Sequence, residues 1–288
     1  MQLHPILKWA GSKRALAETV RRTFDAPAQQ YLEPCVGAAC VYAQRLSVGD
    51  LAPGPHVVLA DLNAALVAFY RALATTPEAL IEALGALPWG EGWLPAYEGN
   101  RATYNEGLPQ VGPTCTLSPE FAALFLWINR ASFNGLYRVS AGGKYNTPAA
   151  DYRTLARPTA ALVRSWSQAL AGVQLVCAPF ATTLGAAGHG VQVYIDPPYL
   201  GMFDAYTTSA WGYDEQARLA LAASDARARG AHVVASNADH PQVRALWAGL
   251  GFTVREASVY HSVGAQAARR KRAGEVLLVG TPPRRRVA

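Results

Sequence analysis

Nine consecutive residues constrain this chain more than any others: Val191-Gln192-Val193-Tyr194-Ile195-Asp196-Pro197-Pro198-Tyr199. A short run dominated by β-branched and aromatic residues and closed by punctuating residues reads as a buried strand. Two prolines then fix two φ angles and remove two N–H donors, so the chain cannot continue in a ladder. The carbonyls of Asp196 and Pro197 are left held outward at the strand's carboxyl end, where open α/β sheets bind ligands. A rigid carboxylate beside a rigid carbonyl is a clamp of two acceptors. It suits an exocyclic amine with two N–H donors, and Tyr199 offers a flat face to the ring that bears the amine. The same residues also suit a plain strand-ending turn with an N-capping Asp, and the motif alone leaves both readings open.

The rest of the chain has an α/β rhythm with one interruption. Residues 6–14 form a tight, small-residue turn, followed by helical character to about Phe24. Residues 30–40 read as a short strand and turn, with a helix from about Cys40 to Leu46. His56–Ala60 is an apolar run closed by Asp61, which suits a buried parallel strand with an acid at its carboxyl end. Strand, small-residue turn, helix, strand and acid make the first half of a doubly wound nucleotide-binding unit. Apolar positions recur at helical spacing from Leu62 to about Ala83, and the Pro, Gly and Trp residues of 87–93 break that pattern. Residues 94–165 hold no βαβ rhythm; Phe121–Asn129 reads as a buried helix and Val139–Tyr145 as a Gly-turned hairpin. Strands return near 173–177, 191–195 and 231–235, with a helix near 213–229 and a closing pair near 252–262 and 275–280. The expected organisation is an α/β domain from 1–62 and 166–288, with helices on both faces of its sheet, interrupted by a mainly helical unit over 63–165 that carries the β-hairpin.

Composition excludes several classes. The 288 residues are 51% hydrophobic and 16% charged, which supports a sizeable core and rules out wholesale disorder. No apolar run approaches the roughly 18–20 residues that cross a bilayer, and Met1–Pro5 lacks the charged and apolar regions of a signal peptide. A soluble, cytoplasmic, monomeric protein without membrane association is expected. The four cysteines show no C-x-x-C pair and the six histidines no ligand or triad spacing, so no metal and no covalent nucleophile are expected. A net charge of +6 points to a polyanionic partner.

Six segments, taken together, resemble the DNA adenine methylase family, the Dam-type N6-adenine methyltransferases. Lys8-Trp9-Ala10-Gly11-Ser12-Lys13 resembles the family's K-W-A-G-G-K opening, and Tyr31–Ala39 its E-P-F-V-G-x-G cofactor motif. Leu59–Asn63 resembles its acid-bearing second motif, and Asn129–Arg138 its N-R-x-x-F-N-G-L-x-R recognition segment. Asp196–Tyr199 is the D-P-P-Y box, and Ala235–Asp239 resembles the S-N-x-D box.

The resemblance implies a Rossmann-like methyltransferase sheet whose inserted unit, 63–165, recognises the DNA target. It implies S-adenosylmethionine as methyl donor, held by Trp9, Lys13, Glu33, Gly37, Asp61, Phe180 and Asp196. Asp196, Pro197, Pro198 and Tyr199 would be catalytic, acting on an adenine flipped out of double-stranded DNA. Asn134, Arg138, Lys144 and the basic cluster Arg269, Arg270, Arg272 are the candidate DNA contacts. On their own chemistry, Trp9–Lys13 also suits an ordinary surface loop, Asp61 a helix N-cap before Ala64, and the basic cluster a solvated surface. Cys35, Ala38, Ala39 and Ser12 depart from the family pattern. Ala at a Gly position adds a Cβ where backbone approaches ligand, a change read as tuning of cofactor affinity rather than its loss, since Lys13, Asp61 and Asp196 all remain. Before Phe180 stands Pro179, where the family often has an acid. The rival readings are transfer to N4 of cytosine or to RNA, and a retired enzyme that only binds DNA.

Overall fold

The computed structural model describes residues 2–24, 27–200, 211–257 and 274–283. Its centre is a seven-stranded sheet: β1 (Gln30–Glu33), β2 (Val57–Asp61), β3 (Gln174–Cys177), β4 (Val191–Ile195), β5 (His232–Ala238), β6 (Thr253–Ala257) and β7 (Glu275–Gly280), in the spatial order β3-β2-β1-β4-β5-β7-β6. The first five strands are mutually parallel, and β7 runs antiparallel between β5 and β6. Strands β1, β2 and β4 are largely buried because the sheet is covered on both faces, as parallel sheets must be.

The helices are α1 (Ala17–Arg21), α2 (Cys40–Ser47), α3 (Ala64–Thr75), α4 (Pro77–Gly85), α5 (Tyr97–Gly107), α6 (Pro119–Ala131), α7 (Ala160–Ala169), α8 (Phe180–Gly185), α9 (Tyr213–Ala228) and α10 (Pro241–Gly249). They divide cleanly between the faces. Tyr31, Val57, Leu59, Tyr194 and Val234 pack into one apolar cluster with residues of α1 to α7. Leu32, Val193, Ile195, Val233 and Ala235, pointing the other way by strand alternation, pack with α8, α9 and α10. The fold is therefore the expected Rossmann-like sheet with helices on both faces. The first of these clusters runs without a break from the sheet through α3 into the helical segment, and α3 itself packs on β2 and β3.

Local chemistry explains the element ends. The helical run after β2 splits at Thr76–Pro77, where proline takes the first turn of α4. The N-cap of α3 is Asn63, whose side chain accepts from the Leu66 N–H, so Asp61 is spared that role. The hairpin is tight: Val139 bridges Tyr145, and Gly143 takes φ +76° in the turn. The helical character expected up to Phe24 shrinks to the five residues of α1.

Chain order places the ligand crevice. From β1 the chain crosses to β2 through α2 on one face, and from β4 it crosses to β5 through α9 on the other. Their carboxyl ends, Pro34 onward and Asp196 onward, diverge at a topological switch point, the place where open α/β sheets bind ligands.

Candidate active site

Asp196 leaves β4 half-buried and receives two donors on the same oxygen: Ser236 Oγ at 2.8 Å, and Lys13 Nζ at 3.1 Å. Ser236 in turn lies 3.0 Å from the Tyr194 hydroxyl. Burial pushes the Asp196 carboxyl above the ordinary aspartate range, against the opposing pull of the Lys13 ammonium and the Ser236 hydrogen bond. The Lys13 ammonium also stands 4.6 Å over the Tyr199 ring and donates to the Gly11 carbonyl. The Tyr199 hydroxyl is driven well above its ordinary range by burial and then by Asp196, so it stays protonated.

The loop after β1 forms the opposite wall. Gly37 adopts φ +47°, and a Cβ there would meet the Trp9 ring at 3.0 Å. Its N–H donates to Asp61 Oδ2 at 3.1 Å, the Asn63 N–H donates to Asp61 Oδ1 at 3.0 Å, and the Tyr70 hydroxyl donates to the Gly37 carbonyl at 2.8 Å. Burial raises the Asp61 carboxyl, opposed by these backbone donors. Ala39 closes the turn in the left-handed region at φ +52° as the N-cap of α2. Both Ala38 and Ala39 are buried. Glu33 is 2% exposed and accepts the Tyr31 hydroxyl at 2.6 Å, and the charge of Asp196 reaches it. Burial lifts its carboxyl to about 8.

The N-terminal loop that carries Trp9 and Lys13 is tied down by the segment read as DNA-recognising. Asn129 Oδ1 accepts the Lys8 N–H at 2.9 Å, and Asn129 Nδ2 donates to the Lys8 carbonyl at 2.6 Å. Arg130 donates from Nε and Nη2 to the Ile6 carbonyl at 3.1 and 2.7 Å. Tyr137 stacks on Trp9 with ring centres 5.8 Å apart. Gly135, at φ +64°, packs so closely that a Cβ would strike the Lys8 carbonyl.

Asn134, at φ +53°, Arg138 and Lys144 are exposed on the turn and hairpin that follow α6. Arg138 already uses its guanidinium on Asn146, through Nε to Oδ1 at 2.6 Å and Nη2 to the carbonyl at 2.9 Å. Phe180 opens α8 half-buried, its ring edge-on to Trp211 at 5.9 Å. Arg269, Arg270 and Arg272 lie outside the described residues. Lys13, Asp196 and Tyr199 therefore meet in one place, as do Trp9, Gly37 and Asp61. The described residues contain no cluster of His, Cys, Asp or Glu suited to a metal.

Sequence reasoning assigned no site role to Ser236, Gln216, Asn129 or Tyr137. Ser236, Asn129 and Tyr137 sit inside quoted motifs. Gln216, fully buried in the first turn of α9, has no sequence signal at all.

Residues 9–261 match the family model described as D12 class N6 adenine-specific DNA methyltransferase. The chain belongs to this family. Among curated relatives, the retron Ec67 DNA adenine methylase of Escherichia coli is 29% identical over 276 residues, covering 95% of this chain and 90% of its own. The DNA adenine methylase of Vibrio cholerae serotype O1 is 29% identical over 282 residues, covering 96% and 95%. The type II methyltransferase M1.LlaDCHI of Lactococcus lactis is 26% identical over 285 residues, covering 96% and 95%. A solved rRNA methyltransferase, aviRa of Streptomyces viridochromogenes, aligns with 92% of this chain and 84% of its own at 13% identity, with a TM-score of 0.33, too low to carry an argument. As a D12-class methyltransferase the chain uses a methyl donor, and among the described residues no helix is long and apolar enough to cross a membrane.

Proposed function

We propose that this chain transfers a methyl group from S-adenosylmethionine to N6 of adenine in double-stranded DNA. The observation that carries this reading is the place of the Lys13 ammonium, 3.1 Å from Asp196 and 4.6 Å over the Tyr199 ring. The turn after β4 is thus built to hold positive charge beside an aromatic face, and positive charge is what develops on an adenine amine as it is methylated.

The amine's lone pair is delocalised into the ring, so it is a weak nucleophile. Hydrogen bonds from its two N–H groups to the Asp196 carboxylate and the Pro197 carbonyl would favour a pyramidal nitrogen and stabilise the developing charge. Tyr199 would stack on the adenine once it leaves the duplex. Ser236 keeps the accepting oxygen of Asp196 in place.

The wall opposite suits the donor. Gly37 lets the backbone lie against the Trp9 ring without a Cβ between them, and the Asp61 carboxylate, with three backbone donors, keeps accepting capacity for a ribose hydroxyl. Bound there with Trp9, Gly37 and Asp61, and with Phe180 on the neighbouring α8, S-adenosylmethionine supplies an electrophilic sulfonium methyl. We assign target recognition to the unit over 63–165. Asn134 and Lys144 are free to meet bases or phosphates, and Arg138 would do so by exchanging its Asn146 partner.

The test is tritiated-methyl transfer to mixed-sequence duplex DNA with the product nucleosides resolved. N6-methyladenine supports the proposal; N4-methylcytosine, or no incorporation, overturns it.

A further inference from the structure

The catalytic turn poses a mechanical problem. Its two prolines lack N–H groups, so the turn cannot brace itself with backbone hydrogen bonds. The Pro198 carbonyl belongs to the peptide that leads into Tyr199. Rotation about ψ of Pro198 therefore swings that carbonyl and the Tyr199 ring together. Something outside the turn has to stop that rotation if the ring is to wait for an adenine in one position.

The structure holds that carbonyl from a distant helix. Gln216 Nε2 donates to the Pro198 oxygen at 2.7 Å. Gln216 Oε1 accepts from Asn237 Nδ2 at 3.0 Å, and Asn237 Oδ1 accepts the Ala238 N–H at 2.9 Å. Gln216 and Asn237 are both fully buried, so the chain of bonds has no water to compete with it. The acceptor ends fix which way each amide faces, and hence that Gln216 turns its NH2 to Pro198. Strand alternation makes the arrangement two-sided: Ser236 and Asn237 are neighbours on β5 and point to opposite faces. Ser236 fixes the carboxylate of Asp196 from one face, and Asn237 fixes the carbonyl of Pro198 through Gln216 from the other.

We infer that Gln216, oriented by Asn237, is a positioning residue that sets the Tyr199 ring for capture of the target base. This inference rests on the proposed methyl transfer for its catalytic consequence, but not for its structural one. A misplacement on the order of 1 Å at a reacting centre can cost about 10²-fold, so Gln216→Met, similar in volume and without donor or acceptor, should slow single-turnover methyl transfer by roughly 10–100-fold. Affinity for S-adenosylmethionine should hold. In ring-labelled protein without DNA, the Tyr199 resonance, assigned by its loss in Tyr199→Phe, should shift or broaden. Gln216→Glu should behave differently. Its protonated carboxyl can still donate to Pro198, so its rate should approach wild type toward acid and fall as the new carboxyl ionises, a pH dependence that mere space-filling does not produce.

A Gln216→Met protein with wild-type rate and an unmoved Tyr199 resonance overturns the inference. So does a variant whose rate, cofactor affinity and melting temperature fall together, with no new pH dependence in Gln216→Glu. If the wild type binds S-adenosylmethionine yet methylates no DNA, the functional proposal fails, and the Tyr199 resonance in the free protein still decides the positioning.

Discussion

Asp196 has to be an anion in a place that disfavours anions. Burial raises its carboxyl, while Lys13 and Ser236 pull it back. Accepting both amine hydrogens with its neighbour requires the ionised form, so activity is lost as pH falls through a value above the ordinary aspartate range. Lys13→Met removes the larger opposing influence, and the acid limb of the single-turnover rate should move to higher pH; an unmoved limb would show that Lys13 does not act on Asp196 in solution. Asp196→Ala removes one of two preorganised acceptors and should cost about 10²–10³ in the chemical step, with the melting temperature little changed. Asp196 and Tyr199 were legible in the sequence because acceptor and ring are properties of the residue type. Gln216 and Asn129 were not, because each donates its amide NH2 to a backbone carbonyl, which every sequence offers everywhere.

Elements were legible where one periodicity ruled and illegible where a tertiary contact decided. The β-branched and aromatic run of β4 and the apolar run of β2 were readable from their own residues; the split at Pro77 was not, because a proline in the first turn of a helix leaves the apolar spacing on either side of it intact. That α6 would end by gripping the N-terminal loop was not readable, since Asn129 and Arg130 look like any polar end of an apolar helix. The grip has a measurable consequence. Asn129→Ala strips the Lys8 N–H and carbonyl of their partners, and leaving such groups unmet costs about 1–3 kcal/mol each where they are buried. Lys8 itself is exposed at its side chain, so the lower end of that range is expected, seen as a fall in melting temperature. Because Trp9 and Lys13 ride on the same loop, calorimetric titration should show weaker S-adenosylmethionine binding in Asn129→Ala. Gly135→Ala, with its Cβ against the Lys8 carbonyl and its φ of +64°, should reproduce both effects. A Gly135→Ala protein that melts and binds like wild type would remove the loop from the account.

At the scale of the whole molecule, strand–turn–helix rhythm revealed the doubly wound sheet, whereas the union of the helical unit with the sheet in one apolar cluster could only be seen in three dimensions. At the same scale Glu33, a residue of the cofactor motif, also bears on stability. Its carboxyl has the Tyr31 hydroxyl on one oxygen and buried Arg45 nearby; that guanidinium is sandwiched 4.6 Å from the Phe24 ring and 4.8 Å from the Tyr31 ring, and donates to Gln192. Burial lifts Glu33 from 4.5 to about 8, helped by the charge of Asp196 and opposed by the Tyr31 and Tyr42 donors and by Arg45. The folded protein therefore keeps a proton that the unfolded chain has already released. With more protons bound in the native state than in the unfolded one, stability falls as pH rises from about 4.5 to about 8, and no further loss from this group follows above that. Glu33→Gln preserves the shape and the neutral charge and should erase this slope. Denaturant unfolding of wild type and variant across that pH window measures it: the wild type should lose stability relative to Glu33→Gln steadily toward pH 8, and parallel curves would show that Glu33 is ionised in the folded protein.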